Sequence, residues 1–159
     1  MHPSCFNFVM RVLKVLLLIA SLAAFVLGFI FGKIYLYFCA IPFLAFLFIA
    51  IHECGHVIGC LLVKTKVNSV ETFGFVFYKP FEISKNISFF GKVNFDKTEK
   101  DKVVFIFGII TSLIVTAVSI ILFVFNLLNI VYFITICLCM VAILIPYKGS
   151  DVWKVFSKK

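Results

Sequence analysis

Four stretches of this 159-residue chain reach, or nearly reach, the roughly 20 consecutive apolar residues that a helix needs to cross a bilayer. They run over 12–31, 34–63, 103–125 and 127–145. A chain of this size could not bury so much apolar surface as a soluble domain, because small domains keep a large exposed fraction. With 64% hydrophobic residues and 22 phenylalanines, the composition is that of an integral membrane protein. The first run exceeds the usual core of a signal peptide and no small-residue cleavage site follows it, so a retained helix is expected. The last run is stopped by Pro146, and 126–129 is a tight connection that makes the last two spans an antiparallel pair.

Charge gives the orientation. Arg11 and Lys14 stand at the start of the first run, and only Lys33 separates the first two. Eight lysines lie between the second and third runs: Lys64, Lys66, Lys79, Lys85, Lys92, Lys97, Lys100 and Lys102. None lies between the third and fourth, and Lys148, Lys154, Lys158 and Lys159 follow. Every heavily basic segment falls on one side if both termini are cytoplasmic, as the positive-inside rule requires. The net charge of +8 therefore flanks apolar spans instead of forming one basic face, which excludes a nucleic-acid partner. Five of the six cysteines (Cys39, Cys54, Cys60, Cys137 and Cys139) lie in the apolar runs, where free cysteine behaves as a small buried hydrophobe. Cys137 and Cys139 are alternatively a soft-metal pair, though no second pair completes a site.

The segment between the second and third runs carries a different period. Phe73, Phe75 and Phe77 alternate with other residues, as do Ile87, Phe89, Val93 and Phe95. Alternation of aromatic and β-branched residues, bounded by Lys-Pro and Asn, predicts strands in a hairpin over 67–96. With no soluble domain to cover it, the phenylalanine face should lie against the membrane interface or a helix. The expected fold is an all-α polytopic membrane protein of four transmembrane helices, with a short membrane-associated β segment between the second and third. Residues 1–33 form an additional N-terminal helix and 34–159 the core.

Within the second run stands His52-Glu53-Cys54-Gly55-His56, a complete H-E-x-x-H. Ionisable residues inside a membrane span are costly and mark function by default. Positions i and i+4 share a helix face, so both imidazoles can reach one metal ion. Zinc suits imidazole nitrogen, and a catalytic zinc keeps a fourth position open for water, whose proton Glu53 can take. Gly55 and Gly59 also favour close helix packing, a role that needs no catalysis. Two histidines leave such a zinc one protein ligand short. Of Glu71, Glu82, Asp96, Glu99, Asp101 and Asp151, the first five have lysines nearby that could pair with them. Asp151 instead follows a helix broken at Pro146, and Gly149-Ser150 permits an irregular turn; its alternative role is to cap a short tail helix beginning at Val152.

"HECGH" in an apolar helix, "FGIITSL" at 107–113 and "LIPYKGSD" at 144–151 together resemble the site-2 protease family of intramembrane zinc metalloproteases. The resemblance covers three of the four spans. Gly108 and Ser112 stand where that family has an A-G-P-x-x-N stretch, and Asp151 where it has the aspartate of Asp-Gly, its third zinc ligand. The resemblance implies one Zn2+ held by His52, His56 and Asp151, with Glu53 as general base. It also implies cleavage of a peptide bond in or near the transmembrane segment of a membrane-anchored peptide or protein, and a strand element that receives the unwound substrate. Phe73, Phe75, Phe89 and Ser112 are the expected substrate contacts. A multi-pass protein of a cell membrane follows, and the Lys-, Ile- and Phe-rich composition points to an AT-rich bacterial genome.

Two other classes compete. A catalytically silent relative, a membrane scaffold or immunity-type protein, would keep the fold, with or without the metal, but has no need of Glu53. A metal transporter would use the histidines as a pathway site, but the first, third and fourth runs contain no Asp, Glu or His.

Overall fold

A computed structural model describes residues 3–72, 75–76, 82–83, 91–97, 99–146 and 150–156. The chain is mostly helical. In order, it forms α1 (Pro3–Phe31), α2 (Ile34–Cys39), α3 (Ile41–Leu62), β1 (Val67–Thr72), β2 (Phe75–Val76), β3 (Glu82–Ile83), β4 (Lys92–Phe95), α4 (Asp101–Val124), α5 (Ile130–Leu144) and α6 (Asp151–Phe156).

Three of these helices, over Arg11–Phe31 of α1, all of α3 and all of α4, are long and apolar enough to cross a membrane. α5 is apolar but has 15 residues, about 22 Å of helix against a hydrocarbon core of roughly 30 Å. Its ends explain its length. The Asn129 side chain accepts from the Val131 amide at 2.9 Å and starts the helix, and Pro146 prevents continuation beyond Ile145. The expected single span over 34–63 is interrupted at Ala40. Pro42, in the first turn of α3, has no N–H to return to Phe38, so the helix restarts there.

Tight reversals bring the helices back on themselves. α1 ends at Gly32 (φ +60°), a left-handed position that suits glycine. α3 and α4 end the same way without it, at Lys64 (φ 58°) and Asn126 (φ 56°). In each, the next amide reaches back five residues, Thr65 to the Cys60 carbonyl at 2.9 Å and Leu127 to that of Leu122 at 2.8 Å. The C-terminal half of α3, the N-terminal half of α4 and the end of α5 with α6 therefore meet at one level.

α3 and α4 form the closest helix pair, and small residues allow it. Buried Gly55 and Gly59 of α3 face Phe107 and Val104 of α4 so closely that a methyl at Gly59 would stand 2.8 Å from the Val104 Cα. A second, aromatic core joins α1, α2 and α5, where fully buried Tyr132 stacks on Phe25 (5.3 Å between centroids) and meets Tyr37 edge-on (5.2 Å).

The strands form a sheet in the order β3-β2-β1-β4, all pairs antiparallel, in place of the expected single hairpin. β1 is the longest strand and pairs on both sides, with β4 through Val67↔Phe95 and Glu71↔Lys92 across an irregularity near Asn68. β4 is an edge. The sheet is anchored on helices by phenylalanine: buried Phe75 meets Phe46 of α3 at 6.1 Å, and Phe95 meets Phe105 of α4 at 5.8 Å. The alternating positions Phe73, Phe77, Ile87 and Phe89 lie outside the described residues.

Candidate metal centre

α3 turns a stripe at i, i+4 spacing, Leu44, Phe48, His52 and His56, into the interior, and all four are buried. The facing stripe of α4 is Val104, Gly108 and Ser112. Gly108 leaves room for the His56 ring, and the two helices approach closely enough for the imidazoles to bond to the α4 backbone. His56 Nδ1 donates to the Val104 carbonyl at 2.9 Å. His52 Nδ1 lies 2.9 Å from the Gly108 carbonyl and 2.8 Å from Ser112 Oγ. A carbonyl only accepts, so these partners place a proton on each Nδ1 and leave each Nε2 as a lone pair. Fixing the far nitrogen in this way is what orients a metal-binding histidine.

The two Nε2 atoms are 3.1 Å apart, and Asp151 Oδ2 lies 2.9 Å from that of His52 and 2.8 Å from that of His56. Ninety-odd residues separate Asp151 from the histidines in sequence, yet one carboxylate oxygen meets both rings. In neutral rings this puts three lone-pair atoms at the corners of one small triangle, an arrangement that repels itself unless a second proton or a cation lies within. Ligand atoms about 2.0–2.1 Å from a tetrahedral zinc stand about 3.3 Å apart, so the triangle is close to the size an ion requires. His52, Glu53 and His56, all buried, could hold a metal ion, their ligand atoms lying within 4.8 Å of one another.

The turn before α6 aims Asp151. Ser150 Oγ accepts from the Trp153 amide at 3.2 Å, and the Ser150 carbonyl accepts from the Lys154 amide at 2.9 Å. Ser150 thus caps the helix, which begins at Asp151 and not at Val152, and the Asp151 side chain is left to the histidines.

Glu53 is 3% exposed. Its Oε2 is buried without a hydrogen-bond partner among the described residues, a costly state for a carboxylate unless something else is to meet it. Gly91, just before β4, presses on the same carboxylate so closely that any side chain there would collide with it. Glu53, His52, His56 and Asp151 line one cavity of about 320 Å³ together with Gly91 and β4, within the size range of small-ligand sites.

The expected zinc ligands and general base therefore come together. Of the expected substrate contacts, Ser112 is buried behind His52, on the side away from Asp151, and Phe75 is buried against Phe46. Phe73 and Phe89 lie outside the described residues. Sequence reasoning did not identify the Val104 and Gly108 carbonyls, Gly91, Phe105 or Lys154. Backbone acceptors leave no residue-type signal, whereas the spacing of Val104, Gly108 and Ser112 along one α4 face is visible in retrospect. No protein-family profile, curated protein or solved structure matches this chain.

Proposed function

We propose that this chain is an intramembrane zinc metalloprotease that hydrolyses a peptide bond in or near the transmembrane segment of a membrane-anchored substrate. The observation that carries the reading is the meeting of His52, His56 and Asp151 at one point, with Glu53, whose Oε2 has no hydrogen-bond partner among the described residues, lining the same cavity. His52, His56 and Asp151 would hold the zinc, which when bound acts as a Lewis acid on the scissile carbonyl and on water. Glu53 takes a proton from the attacking water as its oxygen bonds to the carbonyl carbon. It returns that proton to the amine nitrogen as the C–N bond breaks. A site that only stored metal would have no use for a second buried acceptor beside its ligands.

β4 supplies the substrate platform in this reading. Among the described residues it is an edge strand and it lines the cavity, and an edge accepts an extended chain through backbone hydrogen bonds. Pairing there frees the scissile carbonyl from its own helix. The protein spans a bacterial cell membrane four times, with α5 and its flanking residues as the fourth crossing and both termini in the cytoplasm.

The test is cleavage of co-expressed membrane-anchored peptides by wild type and by Glu53→Gln. The variant keeps its zinc and loses turnover by at least ~100-fold, the usual contribution of a general base. Undiminished cleavage by Glu53→Gln would remove the proposal.

A further inference from the structure

Lys154 has no part in the chemistry above, yet it lines the same cavity. It lies one turn beyond Asp151 in α6, and its Nζ donates to Asp151 Oδ1 at 3.3 Å. That is the oxygen the histidines do not use, since both meet Oδ2. The same ammonium stands 4.5 Å from the centroid of the Phe105 ring, within cation–π range. Phe105 in turn meets the His56 imidazole edge-on, at 5.9 Å and 76°. Lys154 is thus held by an aromatic ring that packs on one ligand and by the carboxylate of another.

A carboxylate can bind a cation through one oxygen or both. With an ammonium on Oδ1, Asp151 has one oxygen left to offer. Two histidines and one oxygen make three protein ligands, which leaves a position open; a second aspartate oxygen would occupy it. An exposed i, i+3 pair within a helix would do little more than add slightly to helix stability. This pair differs because the Asp151 side chain is only 14% exposed and the Lys154 ammonium, on a side chain 37% exposed, lies over the Phe105 ring.

We propose that Lys154, seated on Phe105, is a positioning residue that restricts Asp151 to one-oxygen ligation and so keeps the coordination position beside Glu53 open. The inference rests on the zinc centre proposed above.

The experiment uses the full chain in detergent, with zinc affinity measured by chelator competition and cobalt(II) as a spectroscopic probe. Lys154→Met, which keeps the apolar stem, should weaken zinc binding 10- to 100-fold, as loss of an outer hydrogen bond to a ligand does. It should also weaken the visible cobalt absorption, the mark of an added fifth ligand. Lys154→Arg should restore both, and Phe105→Leu should shift both in the direction of Lys154→Met by less. Lys154→Met with wild-type affinity and spectrum would reduce the pair to an ordinary helix contact and overturn the inference alone. Equal metal loss in Lys154→Met and Lys154→Arg would also overturn it, because the charge would then not matter. Wild-type protein that takes up neither metal would overturn the zinc centre, and this inference with it.

Discussion

Gly108 of α4 lies flat against the imidazole of His56: a methyl group on its Cα would stand 2.6 Å from Nε2 and 2.7 Å from Nδ1. No side chain fits there while the ring keeps its place. Gly108→Ala must therefore move His56, a proposed metal ligand, or push α3 and α4 apart, whereas Gly55→Ala would meet Thr111 and the Phe107 carbonyl without touching a proposed ligand. Both substitutions should cost about 1–3 kcal/mol by overpacking. Only Gly108→Ala should also weaken zinc binding, by about tenfold or more, read by chelator competition. Equal zinc affinity in the two variants would mean that the glycine serves helix packing alone.

The difference between those two glycines shows what can be read from the chain directly. The apolar runs and the H-E-x-x-H pattern are local, since i, i+4 spacing on a helix fixes which side chains share a face whatever surrounds them. Asp151 stands out in the sequence because the other acids have lysines nearby, and the structure places it against both histidines while Ser150 Oγ holds the Trp153 amide. Contacts between distant segments were not reachable. Nothing in "FGIITSL" says that the Gly108 carbonyl meets His52, because a backbone acceptor is the same in every residue. The break at Ala40 was legible in Pro42, but apolar continuity outweighed it. The order β3-β2-β1-β4 depends on which strand edges the helices leave open, and alternation alone carries no such information.

Phe75 is the sheet's anchor on α3, buried against Phe46, and β2 pairs on both sides, with Thr72 of β1 and Ile83 of β3. Proline at Phe75 would remove both a backbone donor and the ring. Phe75→Pro should abolish cleavage of a membrane-anchored peptide while leaving zinc content near wild type, because the ligands come from α3 and α6. Phe75→Leu, which keeps an apolar anchor and the backbone, should retain most cleavage. Normal cleavage by Phe75→Pro would place substrate presentation outside the sheet.

The proposed orientation, drawn from the lysine distribution, has the sheet on the cytoplasmic side and the turn between α4 and α5 outside. In a background without native cysteines, Leu127→Cys, at a residue 66% exposed, should react with a membrane-impermeant thiol reagent in intact cells. Lys97→Cys, also at an exposed residue, should react only after permeabilisation. The reverse pattern would invert the protein and move the mouth of the cavity to the outer face.

Asp151 and Ser150 have different partners although they are adjacent in the chain. Ser150 Oγ holds the Trp153 amide, while Asp151 Oδ2 meets both histidines. Ser150→Ala should cost about 1 kcal/mol, the usual loss for a helix cap, and leave zinc content close to one ion per chain. Asp151→Ala removes the proposed third ligand and leaves two imidazoles facing each other at 3.1 Å, so it should lose zinc and cleavage together. Asp151→Asn tests the charge alone: the amide oxygen can take the same place but is a weaker ligand, so zinc affinity should fall without the site being emptied of side chain. Thermal unfolding of the three variants should rank differently from their zinc content, with Ser150→Ala destabilised and loaded. Asp151→Ala that binds zinc as fully as wild type would remove Asp151 from the centre and leave the two histidines needing a third ligand from elsewhere in the chain.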